Sequence, residues 1–435
     1  MLFKIFEVVL VVLGKLHFEF ISKKFQYKSP SEIEIYQYKK LRQLLLVAYN
    51  EIPFYKNKFN AADFDPLRDF NTLSDFSKVP VLSKEEARSF SDELINKKRK
   101  FLALEFKTSG STGEPFSTLI SPMHWIIEQS CVWRHWSWAG YKFRDRMAIV
   151  RSHVPTSERD LIRWDRARNF IYFSPFHLSD SHIKNYLSEM CRLKVKFIRG
   201  YPSSIRAIAD YIHRNPGVEK PSIRGVLTAS EMLDDVARSV IERAFGAKVF
   251  NHYGLAEQIV MFGGCENGSH LHNYEEYGFL DFEDTDVVNV KKIIGTNLHN
   301  YAMPLIKYDT GDLADLSGGN CACCRSSKVL RNVIGRESAK IDLSDGSSVP
   351  VTNFYTMFEH YGDRFASWQI IQRSKGILEI VVSAYKNVDL VQLESELKLD
   401  IEKRIDDNAL LTFKYDGEFI KVGEGKRNPF IKVGI

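Results

Sequence analysis

Eight residues, Thr108-Ser-Gly-Ser-Thr-Gly-Glu-Pro115, hold four hydroxyls and two glycines. That is the composition of a loop built to hold phosphates. Gly110 and Gly113 let the backbone turn its N–H groups toward an anion, and Thr108, Ser109, Ser111 and Thr112 add hydroxyl donors. The Gly-Lys-[Ser/Thr] ending of a Walker A loop is missing, and the bland alternative is a surface loop. In His252-Tyr-Gly-Leu-Ala-Glu257 the tyrosine offers a ring on which a base could stack, and the carboxylate four residues on suits Mg²⁺, a cation that prefers oxygen. A strand-to-helix turn around a buried tyrosine would look the same. Tyr308-Asp-Thr-Gly-Asp312 reads as a turn whose last carboxylate can accept both hydroxyls of a ribose, and it too is a common turn. Cys265 and His272, with Cys321 and Cys323 from a later loop, match a closed tetrahedral zinc site. His270 and Cys324 compete as ligands, and the alternative is unrelated reduced thiols and surface histidines.

Such residues need a scaffold, and the chain spells one out. Ser31-Glu-Ile-Glu34 reads as a capping box. Leu41, Leu44, Leu45 and Ala48 then share one helical face that ends near Ile52-Pro53, before a loop-rich stretch to Lys84. Trp125 to Trp138 is helical, and Met147 to Val150 reads as a buried strand. From Val195 the pattern alternates: strand to Arg199, helix Ser203 to His213, strand Gly225 to Ala229, helix Leu233 to Phe245, strand Lys248 to Phe250. That alternation predicts βαβ units and a parallel sheet. Ligands of such sheets gather beyond the carboxyl ends of the strands, where Ala229-Ser-Glu231 and Asn251 to Glu257 would fall. Gly335-Arg336 reads as a junction. A small α+β domain is expected after it, with a strand at Leu378 to Val382, a helix from Val391 to Ile405 and a flexible basic loop at Gly423 to Asn428.

Composition narrows the class. With 435 residues, 44% hydrophobic and 26% charged, the chain suits a large globular domain with a smaller companion. A net charge of +5 with scattered basic residues argues against a nucleic-acid partner. Six cysteines in this length are no disulfide scaffold, which points to the cytoplasm. The apolar run Val8 to Leu13 is too short and too interrupted by charge to span a bilayer. Residues 1–20 therefore read as a helix packed on the body, with peripheral membrane contact as the alternative.

In order, the Ser/Thr/Gly loop, Tyr-Gly-x-Ala-Glu, Tyr-x-Thr-Gly-Asp, Gly335-Arg336 and a late Gly425-Lys426 resemble the adenylate-forming superfamily, most of all its phenylacetate–CoA ligases and CapK-like polysaccharide proteins. The resemblance runs from about Ser31 to near the C-terminus and includes Leu44 to Tyr55 and the Cys321-x-Cys323 insertion. It implies an α/β fold: a large adenylation domain, 1–337, with parallel-type sheets flanked by helices and an N-terminal extension at 1–30. A small mobile α+β domain, 338–435, would follow.

The implied activity is ATP-dependent formation of an acyl-adenylate, then transfer to coenzyme A or an amine, in capsule or O-antigen biosynthesis. Thr108, Ser109, Gly110, Thr112 and Gly113 would hold the β- and γ-phosphates. Ser230 and Glu231 would line the adenine pocket, Tyr253 would stack on the base, and Glu257 would hold Mg²⁺. Asp312 would take the ribose hydroxyls, Arg336 would lie near the ribose and α-phosphate, and Lys426 would be the catalytic lysine of the mobile domain. Two positions depart from the family: Ser338 stands where the hinge acid is usual, and Glu114 replaces a lysine of several relatives. The acid itself is left open. Trp125, Trp133, Trp136 and Trp138 would suit an aromatic acid, whereas Arg151 and His252 would suit a hydroxylated one, such as a uronate or a sugar-linked acid. Rival readings are a catalytically silent nucleotide-binding scaffold and a membrane-surface assembly protein of a polysaccharide pathway.

Overall fold

A computed structural model describes residues 2–107, 116–268, 270–336, 339–405, 409–415, 417–422 and 425–433. By internal contacts the chain forms two units, Met1–Trp138 with His252–Val333, and Ala139–Asn251 with Ile334–Ile435.

The first unit opens with helices α1 (Leu2–His17), α2 (Lys23–Phe25), α3 (Pro30–Glu51), α4 (Pro53–Ala61), α5 (Lys84–Ser89) and α6 (Pro122–Trp138). The capping box sits two residues earlier than expected. Ser29 is the N-cap, its side chain accepting from the Glu32 N–H while Glu32 reaches back. Pro30 explains the shift, because a proline at the first helical position loses no hydrogen bond and arrives with helical φ. Leu41, Leu44, Leu45 and Ala48 are completely buried, as their spacing predicts. Each such leucine contributes roughly 1.5–3 kcal/mol. Pro53 ends α3 but starts α4, where a loop was expected, for the same reason. The N-terminal segment does pack on the body. A Cβ on Gly14 of α1 would fall 2.4 Å from the Gln129 Cβ of α6, and His17 Nδ1 lies 3.0 Å from Ser130 Oγ. Strands β1 (Leu104–Lys107) and β2 (Ser117–Ile120) pair antiparallel, and the Ser/Thr/Gly loop at 108–115 lies between them, outside the described residues.

The second unit carries β3 (Met147–Val150), β4 (Ile162–Asp165), β5 (Phe170–Phe173), β6 (Phe197–Gly200), β7 (Gly225–Ala229) and β8 (Lys248–Gly254), laid side by side in the order β8-β7-β6-β3-β5-β4. The pairs β3–β5, β3–β6 and β6–β7 are parallel, and β4 adds an antiparallel edge. On one face Ala148, Val150, Ile171, Phe173, Ile198 and Val226 join a core with α7 (Asp180–Arg192), α8 (Pro202–Arg214) and α9 (Asp235–Phe245). The expected strand at Lys248 to Phe250 continues to Gly254, because its second half, now in the first unit, finds an antiparallel partner at Met261–Gly263.

The first unit resumes with β9 (Met261–Gly264), β10 (Leu271–Asn273), β11 (Gly278–Asp284), β12 (Val290–Asn297), β13 (Tyr308–Asp315) and β14 (Val329–Leu330), and then β15 (Asn332–Arg336) crosses into the second. The second unit ends with β16 (Lys340–Asp342), β17 (Ser348–Pro350), α10 (Thr352–His360), β18 (Phe365–Ser374), β19 (Ile377–Ala384), α11 (Leu390–Glu402), β20 (Leu410–Tyr415), β21 (Lys421–Val422), β22 (Lys426–Arg427) and β23 (Phe430–Lys432). Here β18 and β19 pair antiparallel with β23 and β20 outside them, over a core that includes Phe354, Phe358, Leu393 and Leu397. The overall architecture is α/β, with a large mixed sheet flanked by helices.

Candidate functional site

In the first unit, Tyr253 at the end of β8 donates its phenol to Asp312 Oδ2 at 2.6 Å. Its ring stacks on Phe262 of β9, with centroids 5.3 Å apart and planes 26° apart. Burial, and then the Asp312 carboxylate, push the phenol well above its usual range, which keeps it a donor. Asp312 does not close a turn, as Tyr308-x-Thr-Gly-Asp suggested. It sits in a bulge within β13, opposite a register shift between Lys292 and Ile294 of β12. Gly311, at φ +69°, and the hydrogen bonds Gly311 N–H to Asp309 Oδ1 and Asp312 N–H to Thr310 Oγ1 shape that bulge.

Glu257 is buried, with Tyr308 donating to its carboxylate at 3.4 Å and Lys84 Nζ at 3.5 Å. Lys84 gets there because Leu82 bridges to β13, its N–H on Lys307 O and its carbonyl accepting from Asp309 N–H, each at 2.9 Å. A buried carboxylate fits Mg²⁺ by donor type, since that ion takes one or two protein carboxylates together with phosphates and water.

In the second unit, Ser230 follows β7 in the left-handed region, φ +72°, a conformation that costs a non-glycine residue about 1–3 kcal/mol and clusters at functional sites. Glu231 accepts from Ser203 N–H at 3.0 Å, Ser203 Oγ at 3.1 Å and Arg427 N–H at 2.6 Å. Lys426 therefore stands on β22, which pairs antiparallel with β21 and is tied to the Ser230–Glu231 segment, whereas a flexible basic loop was expected at Gly423 to Asn428. An open cleft of about 2380 Å³ reaches Ser203 and Arg427 and is walled by α7, α8, α9 and the 362–427 region. Arg336 closes β15, half-buried, after Gly335 at φ +111°. Thr108, Ser109, Gly110, Thr112, Gly113 and Ser338 lie outside the described residues. Lys84, Ser203 and Arg427 had no signal in the sequence, because each acts through a contact more than 25 residues away in the chain.

The ligating atoms of Cys265, His272, Cys321 and Cys323 all lie within 4.8 Å of one another. Cys265 and Cys321 sulfurs are 3.6 Å apart, and Cys323 Sγ is 3.4 Å from His272 Nε2. Zn–S and Zn–N bonds of about 2.3 and 2.1 Å require tetrahedral edges of roughly 3.5–3.8 Å, so the donor set fits zinc. Ser327 Oγ at 3.0 Å from His272 Nδ1 orients the ring with Nε2 toward the sulfurs. Burial, and then Arg325, push His272 down to about 4, whereas burial pushes Cys265 up to about 12. His270 is turned away, with Nε2 on Gly318 O at 2.5 Å, and the Cys324 sulfur lies near Ala322 O, so neither competitor joins the group. Trp138 stacks on Tyr274 and lies edge-on to His272, with Arg325 4.4 Å above its ring, and Trp133 and Trp136 are buried.

No family model matches the sequence. The chain is 21% identical to Protein CapK of Staphylococcus aureus over 369 residues, 82% of this chain and 80% of CapK. It is 22% identical to phenylacetate-coenzyme A ligase of Thermus thermophilus over 382 residues, 84% of this chain and 81% of the ligase. Its fold is similar to that of 2-hydroxyisobutyryl-CoA ligase solved in the postadenylation state with R3-HIB-AMP. The TM-score is 0.72 at 15% identity, covering 95% of this chain and 92% of the other.

Proposed function

We propose that this chain, which belongs to the adenylate-forming superfamily and is CapK- and phenylacetate–coenzyme A ligase-like, uses ATP to activate a carboxylic acid and passes the acyl group to coenzyme A or an amine. The observation that carries the reading is the Arg427 N–H to Glu231 bond, which sets the Lys426 strand against the Ser230–Glu231 segment. A silent scaffold would need no lysine in that place.

Two anions must meet in the first step. The substrate carboxylate attacks the α-phosphorus, the bond to the β-phosphate oxygen breaks, and pyrophosphate leaves. Lys426 and Arg336 would offset the charge building on the α-phosphate, and the hydroxyls and N–H groups of Thr108, Ser109, Gly110, Thr112 and Gly113 would hold the β- and γ-phosphates. Tyr253 would stack on adenine, Asp312 would take the ribose hydroxyls, and Ser230 and Glu231 would wall the base. Mg²⁺ held by Glu257 would neutralise phosphate charge. In the second step the acceptor sulfur or nitrogen attacks the acyl carbon and AMP leaves. Residues 338–435 would turn about Gly335, carrying Lys426 in for the first step and out for the second. The four Cys and His residues would hold a structural zinc, with no open position for chemistry. The likeness to CapK favours an acid used in polysaccharide assembly. The test is pyrophosphate release over a panel of acids, each with and without coenzyme A or amines. Absence of release with every acid would refute the reading.

One observation favours an added peripheral membrane contact. Val9, Val12, Leu16 and Phe20 are 47%, 52%, 48% and 73% exposed at spacings that share a helical side. Among the described residues no helix is long and apolar enough to cross a membrane. Pelleting with anionic vesicles that survives deletion of residues 1–20 would rule this contact out.

A further inference from the structure

Across β4, β5, β3 and β6 the register aligns Arg163 with Tyr172, Tyr172 with Ile149, and Ile149 with Arg199. Residues opposed in register share a face of the sheet. This row therefore lies on the face away from the core built by Ala148, Ile171 and Ile198. The Arg163 guanidinium stands 4.9 Å over the Tyr172 ring. Two residues further on, just past the carboxyl ends of β3 and β6, the Arg151 guanidinium stands 5.4 Å over the Tyr201 ring, and Ser152 Oγ lies 3.2 Å from Tyr201 OH. Ser152 holds a left-handed φ of +52°, strained for a serine. Three guanidiniums, two phenols and a hydroxyl thus lie on one sheet face and at its carboxyl edge, where open α/β sheets bind ligands.

Like charges crowd there. Burial, and then the neighbouring Arg151, push the Arg199 guanidinium below its usual range. Among the described residues no salt bridge joins Arg151 or Arg163 to a carboxylate. A planar fork of donors beside tyrosine hydroxyls is the recognition chemistry of carboxylate and phosphate. The cluster also adjoins the segment assigned above to the nucleotide, since Tyr201 is two residues before Ser203, which bonds Glu231.

We propose that Arg151, Arg163 and Arg199, with Tyr172, Tyr201 and Ser152, form an oxyanion subsite that receives a second anionic group, carboxylate or phosphate, carried by the acid to be activated or by its acceptor. The subsite does not depend on adenylation; its assignment to one of those two molecules rests on the function proposed above.

Inorganic phosphate is titrated into the full chain in the presence of AMP. Wild type should bind it, Arg151→Gln and Arg163→Gln should each weaken binding by about tenfold, and Arg151→Lys should lose less, as loss of a charge-assisted fork requires. Absence of binding to wild type, or binding by both glutamine variants as tight as wild type, would overturn the subsite. Pyrophosphate release then separates the sources. If the acid carries the group, an acid with a distal carboxylate is preferred over its monoacid analogue, and Arg151→Gln removes the preference through KM. If the acceptor carries it, that preference is absent and Arg151→Gln raises the KM for coenzyme A instead. Neither change, in an enzyme that releases pyrophosphate, overturns the proposal. No release with any acid refutes adenylation and leaves the phosphate titration to decide the subsite.

Discussion

Tyr253 is bound to its surroundings in two ways that substitutions can separate. Its ring stacks on Phe262 at 5.3 Å, and its hydroxyl donates to Asp312 at 2.6 Å. Tyr253→Ala removes both. Tyr253→Phe keeps the ring and removes only the hydroxyl. If the ring is the platform for adenine, alanine should cost AMP binding about 1–3 kcal/mol, the range for one base on one aromatic ring, or roughly 5–150-fold in affinity. Phenylalanine should cost AMP little, because Asp312 gives up a protein donor and keeps its capacity for the ribose hydroxyls. It should instead lower stability, since a hydrogen bond to a charged acceptor contributes about 1.5–3 kcal/mol. Asp312→Ala should weaken AMP binding by about 1–3 kcal/mol through the lost ribose contact. Calorimetric titration of AMP into the three variants, alongside their thermal midpoints, measures every term. Unchanged affinity in Tyr253→Ala would refute the stacking role. Equal loss in Tyr253→Phe and Tyr253→Ala would show that the hydroxyl, not the ring, does the binding.

Lys426→Ala should abolish acyl-adenylate formation and spare transfer from a supplied acyl-adenylate; equal loss of both half-reactions, or loss of neither, would refute the role. Protein purified without a histidine tag should carry about one zinc per chain, and Cys265→Ser should lower both metal content and thermal stability; folded, active protein without zinc would end that assignment. Glu128 on α6 accepts from Tyr277 at 3.1 Å, and burial pushes it from 4.5 up to about 8. The unfolded chain then releases this proton near the lower value while the folded protein keeps it to the higher one. Stability should fall as pH rises through that window and Glu128→Gln should remove this part of the fall; identical pH profiles of the thermal midpoint would show that Glu128 is not held protonated.

Much of this protein was legible along the chain. The helical face of Leu41, Leu44, Leu45 and Ala48 rests on a period of 3.6, and the strands Met147–Val150 and Gly225–Ala229 on short continuous apolar runs, both of which local sequence carries. Three cysteines and a histidine in two loops were enough to mark a metal-ligand cluster at Cys265, His272, Cys321 and Cys323, with His270 and Cys324 as competitors. The order of short motifs was enough to carry a resemblance to CapK-like proteins and phenylacetate–CoA ligases, and both are among the proteins to which the chain is 21–22% identical.

Tertiary structure decided the partners. No local pattern chooses His272 over His270; the Gly318 carbonyl and Ser327 do, by where they fall. Glu257 meets Lys84 only because Leu82 bridges to β13, and Glu231 meets Arg427 across 196 residues. Asp312 lies in a strand and not a turn because β12 offers β13 a partner on both sides of the bulge. The arginine row exists only once four strands settle into register, since sliding one of them by a single residue would turn its arginine to the opposite face. Periodicity is written residue by residue, whereas register and long-range contact are set by which surfaces bury one another.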